Sequence, residues 1–270
     1  MSEELIFAVG DIHGRFDLVQ AALEAIFARV GGSHYRIICL GDYIDRGPAS
    51  RGVVELMLEL SSDPRVVCLK GNHEAMMLRS LASGNSDDFG GWMEAGGEAT
   101  IASYGADDWS SAVAQAPADH LRWMAGLPLT SGDGHRIYVH AGLLPATSFE
   151  RQTEEACLWI RERFLRAPAH QFDSHIVHGH TPSWAGNPTP GEPELLSHRT
   201  NLDLGAYMTD RLGVGVFDGE IAGGPVEMLV ITQRPGEPAS VSALTPPKTS
   251  LPIEAADGRR RWARSRTWLR

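Results

Sequence analysis

Cysteine is scarce in this chain of 270 residues, and the little there is makes no pattern. Cys39, Cys68 and Cys157 have no metal-type spacing and no even pairing, which argues against a disulfide framework and for a reducing compartment. Cys39 and Cys68 fall inside apolar runs, where buried, reduced thiols are expected. Nowhere do about eighteen apolar residues run uninterrupted, so no membrane-spanning segment is predicted. The N-terminus has no basic leader ahead of an apolar stretch and enters a strand pattern directly; a cytoplasmic protein is the expectation. Excess positive charge is missing as well. The net charge of −10 speaks against general nucleic-acid binding. Internal repeats and low-complexity tracts are also lacking. What remains is a hydrophobic fraction of 43% and a charged fraction of 21%, the composition of a globular protein with a substantial core.

The first third alternates strand and helix. Leu5 to Val9 and Tyr35 to Leu40 read as strands, as does Val66 to Leu69. Between them lie a helix from Phe16 to Val30, with Val19, Leu23, Ile26, Phe27 and Val30 on one stripe, and a second from Val53 to Leu60. This order predicts parallel strands with crossover helices, whose ligands gather outside the strand carboxyl ends. Residues 81–105, rich in Gly, Ser and Asp, read as a mixed helical and loop insertion covering a site. Further strands are expected at Arg136 to Val139 and Ile176-Val177, with a helix from Glu154 to Leu165 between them. Leu202 to Leu204, Leu212 to Phe217 and Val226 to Thr232 suggest a second, more antiparallel sheet. The domain expectation is therefore a catalytic domain over 1–233, a Pro-rich extension or linker over 234–258, and an Arg-rich tail over 259–270. That tail interleaves Trp262 and Trp268 with six arginines; a solvated end is expected, since no stacking platform elsewhere supports a nucleic-acid partner.

Five polar clusters stand where apolar runs stop: Gly10-Asp11-Ile12-His13-Gly14, Gly41-Asp42-Tyr43-Ile44-Asp45-Arg46-Gly47, Gly71-Asn72-His73-Glu74, His140-Ala141-Gly142 and His178-Gly179-His180-Thr181-Pro182. Divalent metals of hard or borderline character select carboxylate oxygen and neutral imidazole nitrogen, and these clusters are rich in both. Asp11 and His13 are two residues apart, so at an extended strand end both can point the same way. A carboxylate such as Asp42 has two oxygens and can bridge a metal pair. Two metals about 3.5–4 Å apart can hold a shared water, lower its pKa and aim it at phosphorus. Any one cluster is an ordinary turn; five in this order point to a site. His178 and His180 share one side of a strand, and the spacing does not separate them. Glu74 reads as a cap on the helix after Asn72-His73.

The series resembles the metallophosphoesterase superfamily, within it the phosphoprotein phosphatases, and most closely their short bacterial and phage (lambda-like) serine/threonine protein phosphatases. The match runs from about Leu5 to Phe217. The resemblance implies an α/β, calcineurin-like sandwich of two mixed β-sheets flanked by helices. It also implies two divalent metals, manganese being the expected activator, with iron, zinc or nickel pairs fitting the same ligands. By the family pattern Asp11, His13 and bridging Asp42 hold the first metal; Asp42, Asn72, His140 and His180 hold the second. His73 corresponds to the general acid, Asp45 to the carboxylate that orients it, and Arg46 to a phosphate clamp. Trp159-Ile160-Arg161 resembles the subgroup's Trp-x-Arg segment, giving Arg161 as a second clamp ahead of Arg163. Asn201-Leu202-Asp203-Leu204-Gly205-Ala206 resembles an Asp-Thr-Gly-Ala strand end, with Leu204 in place of Thr, and reads as a structural turn. The tyrosine near the site of eukaryotic members has no counterpart visible in the sequence.

The function implied is a metal-dependent phosphomonoesterase of the serine/threonine protein phosphatase type, in which a metal-activated hydroxide attacks phosphorus in line. A phosphoprotein or small phosphorylated molecule is the expected partner, and the oligomeric state is left open. The alternative is a symmetrical diadenosine tetraphosphate hydrolase, whose third cluster ends in Asp and whose last His precedes Trp; Glu74 and Thr181 lean away from it. Another phosphoesterase acting on small esters is a further alternative. Nucleases of the superfamily end in Gly-His-x-His, and Pro182 stands where that second imidazole belongs.

Overall fold

The computed structural model describes residues 4–106, 116–182, 187, 189–234 and 236–246; the Arg-rich tail lies outside the described residues. Two mixed sheets face each other with helices on their outer sides. The first has six strands in the order β11-β10-β9-β1-β2-β3. Its parallel half is β1 (Glu4–Val9), β2 (His34–Cys39) and β3 (Val66–Cys68), joined by helices α1 (Phe16–Val30) and α2 (Ser50–Leu60). Its antiparallel half is β9 (Arg211–Asp218), β10 (Glu227–Thr232) and β11 (Ser240–Leu244). The second sheet runs β4-β5-β6-β8-β7. In it β5 (Arg136–Val139), β6 (His175–His178) and β8 (Arg199–Asn201) are parallel, while β4 (Thr130–Gly132) and β7 (Glu194–Leu195) are antiparallel edges.

Side-chain alternation explains the layering. From β1, Ile6 and Ala8 enter the layer between the sheets with Ile38, Leu40, Tyr138, Val177 and Phe217. Phe7 and Val9 point the other way, under Leu18, Val19, Ile26, Val53 and Met57 of α1 and α2. Both faces of the strand are buried, so its apolar run is continuous and not alternating. A third cluster, including Val139, Leu158, Phe164 and Ile176, covers the outer face of the second sheet.

Several expectations change. β9 and β10 do not build the second sheet; β9 pairs with β1 and extends the first. Continuous apolar runs record burial but not which neighbour they pair with. Leu202 to Leu204 follows β8 instead of forming a strand. The predicted helix over Glu154 to Leu165 is two pieces, Glu154–Trp159 and Glu162–Leu165, broken where Arg161 takes φ −126° and ψ −107°. Phe27 is 47% exposed, and the buried face of α1 is Leu18, Val19, Ala22, Leu23, Ala25 and Ile26. Residues 81–105 include the end of α3 (Asn72–Ser83) and two further helices, α4 (Ser86–Glu94) and α5 (Gly97–Ser103). Within 234–258, β11 pairs with β10 despite the Pro- and Ser-rich pattern. All three cysteines are buried and free. Among the described residues no helix is long and apolar enough to cross a membrane.

His175 gives the fold a measurable acid sensitivity. It is buried between the Ser197 carbonyl and the Thr200 hydroxyl, and burial pulls it down from 6.5 to about 4. Between those values the unfolded chain takes up a proton that the folded protein refuses, so stability falls as pH drops. The contribution is at most about 1.4 kcal/mol per pH unit. Urea midpoints measured from pH 6.5 to 4 should fall less steeply in His175→Gln than in the parent chain.

Candidate metal centre

The carboxyl ends of β1, β2, β3, β5 and β6 converge, and each delivers one cluster. Left-handed backbone, and not strand alternation, aims the side chains. His13, Asp42, Asp45, Arg46 and His180 all have positive φ, between 46° and 73°. His13 therefore reaches the site by a turn after Asp11, and the two do not simply share one strand face. For residues other than glycine such conformations cost about 1–3 kcal/mol each and persist only where surroundings hold them.

Glu74 does much of the holding. At the third position of α3 it reaches back to the Gly71 N–H (2.9 Å), as the sequence led us to expect of a cap. It also accepts the N–H groups of Asp42 (3.0 Å) and Tyr43 (2.8 Å), locking the β2 loop to the start of α3. Burial raises its carboxyl to about 7, with Asp42 adding to the rise and these N–H groups opposing it. Nothing in the spacing announces this second task.

Asp42 lies at the centre. One of its oxygens is 3.4 Å from His13 Nε2 and 3.8 Å from His73 Nε2; the other is 3.4 Å from His140 Nε2. Burial acts to raise its carboxyl, but the imidazoles of His140, His73, His13 and His180 outweigh it and hold it far below the carboxylate range. Two groups of potential ligand atoms share Asp42, each with its atoms within 4.8 Å of one another: His13, Asp42 and His73, and Asp42, His140 and His180. Asn72 Oδ1 touches His140 Nε2 (2.9 Å) and His180 Nδ1 (2.8 Å). Asp11 accepts the His180 N–H at 2.9 Å. Five of the expected ligands thus meet around Asp42 and Asn72; Asp11 is in neither group and joins them through the His180 N–H, while His73, expected as the general acid, stands in the first group.

The donor set fits divalent cations. Asp11 Oδ1 and His180 Nε2 are buried without a hydrogen-bond partner among the described residues. Burial lowers His13, His140 and His180, which favours the neutral imidazole whose nitrogen lone pair a cation takes. The His13 Nδ1–H and His140 Nδ1–H donate to the carbonyls of Ile44 and Leu40, which aims both Nε2 atoms inward. Burial, then Asp203 and Asp42, raises the Asp11 carboxyl well above its usual range. Asp203 itself is raised to about 6, chiefly by burial. It accepts the Gly205 N–H in a turn, as expected, yet it also adds a carboxyl close to Asp11.

The remaining expected residues surround this centre. His73 Nδ1 is 2.6 Å from Asp45 Oδ2. Arg46 Nη1 meets His13 Nε2 at 2.9 Å, and its guanidinium lies 4.6 Å from the Tyr207 ring centre. It makes no ion pair with Asp42 or Asp45 among the described residues. On the other side Arg161 Nη1 donates to His180 O and Thr181 Oγ1, both at 3.2 Å. Arg163 instead lines a surface cavity with Pro145, Arg166 and Gln171. His178 and His180 diverge because β6 ends between them; His178 contacts Arg199 at 3.3 Å, away from Asn72. Tyr207, T-shaped to His13 at 5.4 Å, supplies a tyrosine at the site that the sequence did not reveal. Its only signal was its place just after Gly205-Ala206.

A model of the calcineurin-like phosphoesterase family matches residues 5–209. Serine/threonine-protein phosphatase 2 of Escherichia coli is 38% identical over 95 residues, covering 34% of this chain and 38% of that protein. A symmetrical bis(5'-nucleosyl)-tetraphosphatase of Dechloromonas aromatica is 31% identical over 152 residues, covering 56% and 48%. The matched part of this chain thus spans less than half the length of either relative. A solved structure provisionally assigned as a diadenosine tetraphosphatase aligns with TM-score 0.58 at 20% identity, covering 87% of this chain and 100% of that one.

Gly179 tests the centre. Any Cβ there would overlap Asp11 Oδ1. Gly179→Ala should weaken Mn²⁺ binding about 10–100-fold by calorimetry, the range for displaced groups around a metal.

Proposed function

As this chain belongs to the calcineurin-like phosphoesterase family, we propose that it is a metal-dependent phosphomonoesterase acting on phosphoserine and phosphothreonine in proteins. The observation that carries the reading is Asp42, whose two oxygens face two separate imidazole sets, with the His73–Asp45 pair on one flank. Asp11, His13 and Asp42 would hold one divalent ion, and Asp42, Asn72, His140 and His180 the other. Bound there, such ions supply Lewis acidity toward water and phosphoryl oxygen.

The chain's own residues do the rest. Arg46 and Arg161, on opposite sides of the centre, grip phosphoryl oxygens and hold the ester in line for attack by water. His73 presents Nε2 toward Asp42 while its Nδ1–H donates to Asp45. Burial pulls His73 down, but the carboxylates of Asp42 and Asp45 outweigh it and raise the imidazole above 6.5. That balance favours the protonated imidazole, the form that a departing serine or threonine alkoxide needs. No side chain needs to be phosphorylated.

A second reading, symmetrical diadenosine tetraphosphate hydrolysis, is supported by the Dechloromonas relative and by two exposed rings beside the centre. Tyr207 stands edge-on to His13, and Trp159 edge-on to His180 at 6.3 Å. Exposed aromatic faces of this kind suit nucleobases. Turnover of a phosphopeptide against diadenosine tetraphosphate, both with Mn²⁺, separates the two; a clear preference for the dinucleotide overturns the first. His73→Asn should lower kcat on an unactivated phosphate ester by about 10²–10⁴-fold, the worth of a positioned general acid.

A further inference from the structure

Asp45 is fully buried, and its carboxylate is occupied from more than one direction. His73 takes Oδ2 at 2.6 Å. The Trp92 indole N–H, from α4, lies 3.0 Å from Oδ1 and 2.9 Å from Oδ2. The Thr100 hydroxyl, from α5, donates to Oδ1 at 2.6 Å and accepts the Asp45 N–H at 2.9 Å. A hydroxyl has one proton and two lone pairs, so Thr100 clamps both ends of the same residue at once. Trp92 and Thr100 are each 1% exposed and lie in the segment 81–105. That segment also accepts the Arg46 N–H at Gly96 O (3.1 Å). It packs behind the Asp45 loop, and its polar groups end on a carboxylate that has no solvent to orient it.

We propose that Trp92 and Thr100 are positioning residues for general-acid catalysis: they fix the Asp45 carboxylate so that it holds His73 with Nε2 aimed at the leaving group. The inference rests on the phosphomonoesterase reading. Asp45 has left-handed backbone, φ 73°, and two soft side-chain torsions. Without donors opposite His73 its carboxylate can rotate, and the imidazole ring rotates with it. The oxygen partners of the two donors differ: Thr100 fixes one oxygen, whereas the indole spans both and sets the plane. The residues therefore act through Asp45 and His73 and touch no substrate.

Leaving-group dependence provides the test, because a proton is needed for a poor leaving group and not for a good one. The metal-loaded enzyme and its Thr100→Val, Thr100→Ser, Trp92→Phe and His73→Asn variants are assayed on phenyl phosphate and 2,4-dinitrophenyl phosphate. Thr100→Val and Trp92→Phe should lose about tenfold or more in kcat on phenyl phosphate, with KM unchanged and little loss on the dinitrophenyl ester, a fraction of the general-acid factor. Thr100→Ser restores the hydroxyl and should restore kcat. Equal losses on both esters, a change confined to KM, or full activity of Thr100→Val overturns the proposal. If His73→Asn itself treats the two esters alike, it is the general-acid reading that fails. The His73 Nδ1–H proton resonance, read by NMR, should move in Thr100→Val and return in Thr100→Ser; an unmoved resonance also overturns the proposal.

Discussion

One buried carboxylate, Asp42, sets the terms for everything around it. It sits in left-handed backbone just past the end of β2, and imidazoles from four other strand ends surround it. A buried carboxylate is tolerable only when charge or hydrogen bonds replace lost water. The His73 N–H at 3.1 Å supplies one such bond, and Glu74 holds the backbone on which Asp42 stands. Gly71 is required at this junction because a Cβ would overlap Asp42 Oδ1 and the Asp42 nitrogen. The β2 loop and the start of α3 are therefore one unit. Their sequence separation of 31 to 32 residues is bridged by two acids, Glu74 and Asp42 itself.

Which residues converge on the centre was legible, and what supports them was not. Polar clusters at the ends of apolar runs marked β1, β2, β3, β5 and β6, and parallel topology put those ends at one edge. Helices α1 and α2 were visible for the same reason, since residues spaced by a helical period must share a buried face. Sheet membership was hidden: Leu212 to Phe217 is apolar whether it pairs with β1 or with the second sheet. The break before Arg161 had no Pro or Gly to announce it, and β11 lacked a buried face to give it a period. Tyr207, Trp92 and Thr100 escaped because their roles depend on contacts made 47 or more residues away, which no local pattern encodes.

Backbone strain concentrates in the same places. Of the positive-φ residues other than glycine, only Ala146 and Asp210 fall outside the five site positions among the described residues. Asp210 belongs to a neighbouring anchor: Arg15, just past the first cluster, binds it at 2.6 Å and the Ala206 carbonyl at 3.0 Å. That anchor fixes the short helix Ala206–Thr209 carrying Tyr207. The first cluster thus contributes Asp11 and His13 inward and, through Arg15, holds the ring that faces Arg46.

These tethers divide the site into two kinds of surface. The centre is built from strand ends of both sheets, held by buried hydrogen bonds and the apolar layer between them; altering it means altering the fold. The rim is built from short helices outside the sheets, where Trp159 is 43% exposed and Tyr207 36%. Exposed rings can change with little cost to the core, since surface substitutions are mostly near neutral in stability. One scaffold can therefore keep its phosphoester chemistry while its choice of leaving group drifts.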